Sequence, residues 1–151
     1  MKEFESINDI LDFAIASEQE AVEFYTGLSE QTSNDAMKKV FIQIANEEKG
    51  HKSRLIRIKE KELFEFKEEK VVDLKISDYM VTSEPKSDMT YQDFLFVAMN
   101  KEKAAFKLYS DLAKIAPNNQ LSEIFLSLAQ EEAKHKLRFE VEYDDNVLRN
   151  N

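Results

Sequence analysis

The 151-residue chain contains no cysteine and no tryptophan, and only two glycines and two prolines. The lack of cysteine excludes disulfides, zinc–thiolate sites, thiol nucleophiles and cysteine-held iron–sulfur centres built from this sequence. The scarcity of glycine and proline leaves few breaks, and the abundance of Glu, Lys, Ala, Leu and Ile favours long helices. Basic residues are in the minority: 21 Lys and Arg against 30 Asp and Glu give a net charge of −9. A surface of that sign does not neutralise phosphates, so neither nucleic acid nor an anionic membrane is expected as a partner. No apolar run approaches membrane-spanning length, and the opening Met1–Ser6 is acidic and lacks a signal-peptide core. The expected location is the cytoplasm. With tryptophan missing, eleven Phe and five Tyr supply most of the large core side chains.

What is present is a duplication. Shifted by about 84 residues, the second half reads on the first without a gap. Glu18 falls on Glu102, Ala21 on Ala105, Tyr25 on Tyr109 and Leu28 on Leu112. Further along, Phe41 falls on Phe125, Ala45 on Ala129, Glu47-Glu48 on Glu131-Glu132 and His51-Lys52 on His135-Lys136. A period this long implies one structural unit used twice.

Each unit reads as a helical hairpin, spanning residues 6–65 and 90–145 of a single 151-residue domain. In the first, Ser6 is the expected N-cap with Asp9 three residues on, and Ile7, Ile10, Leu11, Ala14, Ile15, Ala21, Val22, Tyr25 and Leu28 recur at helical period. The polar Gln31–Asp35 stretch makes the turn, and Val40, Phe41, Ile44, Ala45, His51, Leu55 and Ile58 stripe a second helix. In the second unit Thr90 with Asp93 opens the first helix and Ala116–Asn119 makes the turn. Leu121, Ile124, Phe125, Leu128, His135 and Phe139 then continue the stripe, and the polar tail 143–151 is expected to fray. Residues 66–89 carry weaker periodicity and form a connection too long for a simple turn. A crossover running the length of a bundle accounts for it, with a short helix expected near Leu74–Met80.

Six polar residues interrupt the apolar stripes. Glu18 sits two turns before Tyr25, and Glu48 one turn before His51; the second unit repeats this with Glu102, Tyr109, Glu132 and His135. Glu18 and Glu48 each lie about thirteen residues from the turn, about 20 Å at 1.5 Å per residue, so they stand at one level of the hairpin. Glu102 and Glu132 do the same, and four carboxylates with two imidazoles are expected to converge in the core. Uncompensated, they would repel and pay heavily for leaving water. Two divalent cations cancel four carboxylate charges. One His per metal with oxygen-rich ligands suits iron or manganese better than tetrahedral zinc, though zinc is possible.

Weighed against this stands a solvated charge cluster, since one Glu-x-x-His pair arises easily by chance in a Glu-rich chain. Yet both histidines of the protein sit in the same motif, each with a glutamate about thirty residues earlier. Glu47 and Glu131 lie about 100° round the helix and read as neighbours of the site or surface groups. Glu20 and Glu23 face Ala104 and Lys107 in the repeat and read as solvated. Tyr25 and Tyr109 read equally as core aromatics with one hydrogen bond each, or as partners of a ligand carboxylate or a metal-bound oxygen.

At these residues the sequence resembles the rubrerythrin branch of the ferritin-like superfamily, over nearly the whole chain. The sets Glu18/Glu48-x-x-His51 and Glu102/Glu132-x-x-His135 match that family's metal ligands. The Leu74–Tyr79 crossover and the Ala-x-x-x-Tyr run after each first glutamate are also similar. The resemblance implies an all-α, ferritin-like four-helix bundle of two hairpins joined by one long crossover. It implies two iron ions per site, reaction with hydrogen peroxide or dioxygen, Tyr25 and Tyr109 near the chemistry, and homodimers. Two departures stand out. Full-length rubrerythrins carry a four-cysteine iron domain that feeds electrons inward, which a cysteine-free chain replaces with an external electron-donor protein. They also carry an extra glutamate where this chain has Ala105, which leaves a more symmetric site. The competing readings are a ferroxidase or iron-handling protein, a manganese catalase, and a non-enzymatic bundle with a vestigial site.

Overall fold

Four long helices account for the residues described in the computed structural model, which are 6–61, 78–81 and 89–149. They are α1 (Ile7–Gln31), α2 (Asp35–Glu60), α3 (Tyr91–Ile115) and α4 (Asn119–Arg149). The chain divides into two compact units, one holding α1 with α2 and the other α3 with α4. Among the described residues there is no strand.

The helix boundaries follow from capping chemistry. Ser6 accepts the Asp9 amide at 3.1 Å, and Thr90 forms a reciprocal capping box with Asp93. Asn34 accepts the Met37 amide at 3.0 Å, and Asn118 accepts the Leu121 amide at 2.8 Å. Each such cap satisfies a backbone donor that a helix start leaves without an intrahelical acceptor, contributing about 1 kcal/mol. These cap pairs keep the repeat's spacing, so the duplication is visible in the turns as well as the stripes.

In the first hairpin Ile10, Leu11, Ala14, Tyr25 and Leu28 of α1 are buried, as are Phe41, Ile44, Ala45, Leu55 and Ile58 of α2. The second hairpin buries Leu95, Ala98, Tyr109 and Leu112 of α3, with Leu121, Phe125, Leu128, Ala129 and Phe139 of α4. Each large apolar side chain so buried stabilises by about 1.5–3 kcal/mol relative to exposure, before ordering entropy is subtracted. Polar links hold the hairpin legs in register: the Lys52 ammonium donates to Gln19 at 2.8 Å, and Lys59 pairs with Asp12. In the second hairpin the Tyr91 hydroxyl donates to Glu142 at 3.3 Å.

One expectation needs adjustment. The tail is helical as far as Arg149, past the expected end at residue 145. Its apolar period persists through Val141 and Leu148, and no Gly or Pro stops it. The α2 helix ends at Glu60 with Lys61 as C-cap, and the expected hairpin boundary at residue 65 lies outside the described residues. Most of the crossover, including Leu74–Ser77 of the expected short helix, lies outside the described residues, while Asp78 and Tyr79 form a tight turn. There the buried Tyr79 hydroxyl donates to Asp111 of α3 at 2.8 Å, and the Lys107 ammonium lies 4.9 Å from the Tyr79 ring centre. Burial and the neighbouring Asp111 and Asp78 charges push the Tyr79 phenol above its ordinary range.

Candidate metal centre

Six buried ionisable side chains stand in two sets of three, one in each hairpin. On α1 Glu18 follows Leu11 and Ala14 along the inward stripe and is 2% exposed. On α2 Glu48 and His51 stand three residues apart, between Ile44 and Leu55, and each is 1% exposed. Spacings of three, four and seven keep these residues on one face, so the same geometry that buries leucine here buries carboxylate.

The three groups meet. His51 Nδ1 lies 3.3 Å from Glu48 Oε1 and 3.6 Å from Glu18 Oε1. One ligand atom from each lies within 4.8 Å of the other two. The second hairpin repeats the arrangement: His135 Nδ1 lies 3.5 Å from Glu102 Oε2 and 3.7 Å from Glu132 Oε1. Glu102 and Glu132 are buried, and so is His135.

These separations are informative. A normal N–H···O hydrogen bond spans about 2.7–3.2 Å. Two ligands bonded at about 2.1 Å to one ion stand roughly 3–4 Å apart, depending on their angle at the metal. The observed values fall in the second range. Carboxylate oxygens with one imidazole nitrogen form a donor set that hard and borderline divalent cations accept. Ionised carboxylates taken from water also need a nearby positive charge, which a cation held in each triad would supply. The residues present therefore fit metal binding.

The other residues singled out in the sequence differ in burial. Tyr25 and Tyr109 are fully buried, two turns beyond Glu18 and Glu102 on the same helices. Glu47 and Glu131 are only partly buried. Glu20 and Glu23 are exposed, and Glu23 accepts from the Gln19 amide at 3.2 Å, which fits a solvated face. The Tyr79–Asp111 bond was not anticipated; Tyr79 was read only as part of the crossover, and nothing in helical periodicity pairs it with α3.

The model of the rubrerythrin family matches residues 9–88 and 93–149, most of the chain. A Thermotoga maritima protein assigned to the ferritin-like diiron-carboxylate class superposes with a TM-score of 0.79, at 23% sequence identity. That superposition covers 97% of this chain and 99% of the other. At that identity the likeness carries the fold: an all-α, ferritin-like four-helix bundle. A search of curated proteins finds no match to the chain.

Proposed function

Since the chain belongs to the rubrerythrin family, we propose that it is an oxidoreductase whose two triads hold two iron ions. Its substrate is hydrogen peroxide or dioxygen, and an external donor protein supplies the electrons. The observation that carries this reading is the burial of two equivalent Glu/Glu/His sets at ligand–ligand separations of 3.3–3.7 Å.

Iron bound there supplies the electrons for cleavage of an O–O bond and an electrophilic surface that orients the substrate. The chain's own groups do the rest. Glu18, Glu48, Glu102 and Glu132 contribute four negative charges, which two divalent cations balance. His51 and His135 act as neutral donors, and in both the ring nitrogen facing the carboxylates is Nδ1. Ile44, Leu55, Leu128 and Phe139, buried on the same stripes, exclude water and strengthen local electrostatics. Tyr25 and Tyr109 carry phenol protons in this dry region and serve as proton donors toward the reacting oxygen. A separate donor protein is consistent with the absence of cysteine from these 151 residues, which hold no ligands for an iron–sulfur relay.

Ala105 favours one second reading, a ferroxidase with Fe(II) as substrate. At that place the family's extra carboxylate is missing, and the two triads are more alike for it. Anaerobic, iron-loaded, reduced protein separates the two. Fast oxidation by peroxide and slow oxidation by air supports the peroxidase, whereas turnover of many Fe(II) per chain under air supports the ferroxidase. No oxidation by either oxidant rejects both.

A further inference from the structure

The two hairpins differ in charge along one outer face of their first helices. On α3 this face carries Asn100, Lys103, Ala104 and Lys107, which spacings of three, four and seven set in one line. At about 100° per residue it lies roughly 100–200° round the helix from Glu102, so it is turned away from the buried triad. The counterparts on α1 are Ala16, Gln19, Glu20 and Glu23. Where the first hairpin presents two carboxylates, the second presents two ammonium groups, against the −9 charge of the chain.

The two faces also differ in how their polar groups are satisfied. Gln19 accepts from Lys52 of α2 at 2.8 Å and donates to Glu23 at 3.2 Å. Lys103 stands in its place and has no acceptor to offer. Lys136, the counterpart of Lys52, bonds instead to Glu140 at 2.8 Å. Lys107 is engaged three ways: 3.4 Å from Asp111, 4.0 Å from Asp78 and 4.9 Å from the Tyr79 ring centre. Among the described residues the Lys103 ammonium has neither hydrogen bond nor ion pair.

That ammonium borders a cleft of about 310 Å³ between α3 and residues 78–81. Asn100 and Ala104 line it from the helix, and Met80 and Val81 from the other side. A glutamate at position 104, as at Glu20, would occupy this space and repel an anion. Alanine does neither. The volume is at the low end of ligand sites, which limits the occupant to a small molecule.

We propose that this cleft binds a short-chain monocarboxylate, with its carboxylate on Lys103 and Asn100 and its alkyl tail against Met80, Val81 and Ala104. An ammonium and an amide match the two oxygens of a carboxylate. A phosphate dianion would leave oxygens facing Met80 and Val81 without donors. One charge-assisted contact and a short apolar tail give weak binding, with a dissociation constant of about 1 mM. The site uses none of the buried triad residues, so metal loading does not alter it.

Equilibrium dialysis of the full-length protein against radiolabelled hexanoate, at ionic strength fixed with sodium chloride, tests this. Saturable uptake of about one hexanoate per chain is expected, with acetate competing about tenfold more weakly because it lacks the tail. Lys103→Gln, which installs the residue of the first hairpin, is expected to weaken uptake about tenfold, and Ala104→Glu by as much or more. Gln19→Ala on α1 should leave uptake unchanged, as should removal of metal with a chelator. Circular dichroism of the variants should match the native chain, since these side chains lie outside the core. Absence of saturable uptake, uptake indifferent to both Lys103→Gln and Ala104→Glu, or equal competition by acetate, hexanoate and inorganic phosphate would each overturn the proposal. So would loss of uptake on metal removal, which would move the binding to the triads.

Discussion

His51 and Glu48 stand one helical turn apart on α2, with the imidazole Nδ1 3.3 Å from the carboxylate Oε1 and both side chains buried. Positions that elsewhere on this stripe hold leucine and isoleucine hold ionisable groups here, and a bound cation would make that tolerable. Glu47, the next residue toward the N-terminus, shows the contrast, because it is only partly buried. Glu48→Ala or His135→Ala is expected to lower metal content about tenfold or more, whereas Glu47→Ala leaves it within about twofold. Elemental analysis of the three purified variants checks this, and equal loss in all three would show that the inward face is wrongly assigned.

The triads are also expected to burden the metal-free fold. Without cations the buried carboxylates of one hairpin repel each other and pay for desolvation. Removing metal with a chelator should lower the melting temperature of the native chain, and adding Fe(II) or Mn(II) should restore it. Glu18→Gln with Glu102→Gln is expected to raise the melting temperature of the metal-free form and abolish its response to metal. Calorimetry with and without chelator measures both.

Tyr79 gives a pH dependence. Its phenol is raised above the ordinary value of 10.0, chiefly by burial, then by the Asp111 hydrogen bond and the Asp111 and Asp78 charges. Below pH 10 both folded and unfolded chains keep the proton, so the stabilisation is fully present. As pH rises past 10 the unfolded chain releases this proton first, and stability falls. Denaturant unfolding should therefore weaken between pH 10 and higher pH, and Tyr79→Phe should flatten that decline. An identical decline in the variant would assign it to other groups.

Capping should matter at the expected scale. Asn118→Ala removes the side-chain acceptor for the Leu121 amide and is expected to cost about 1 kcal/mol, while Phe125→Ala, emptying a fully buried position, costs about 3–5 kcal/mol. Urea unfolding of the two variants compares them.

Much of this architecture was legible in the sequence because duplication prints each signal twice. Ser6 and Thr90, Tyr25 and Tyr109, Phe41 and Phe125, and both Glu-x-x-His motifs could be read against their own copies. The buried triads were legible because a carboxylate at a helical core spacing contradicts the hydrophobic pattern around it. The end of α4 was misread for a local reason: Tyr143–Asn146 is polar, yet Val141 and Leu148 keep the helical period across it. Tyr79 and Asp111 were not paired because their contact joins a turn to a helix surface 32 residues away, and no periodicity links the two.

The account stands on two triads, each able to hold an ion. Its most direct test is the metal stoichiometry of protein loaded with Fe(II) without oxygen, desalted and analysed alongside Glu48→Ala. Binding of about two ions per chain in the native protein, with marked loss in the variant, is the predicted result. Well under one ion per chain, or equal loading in Glu48→Ala, would contradict it.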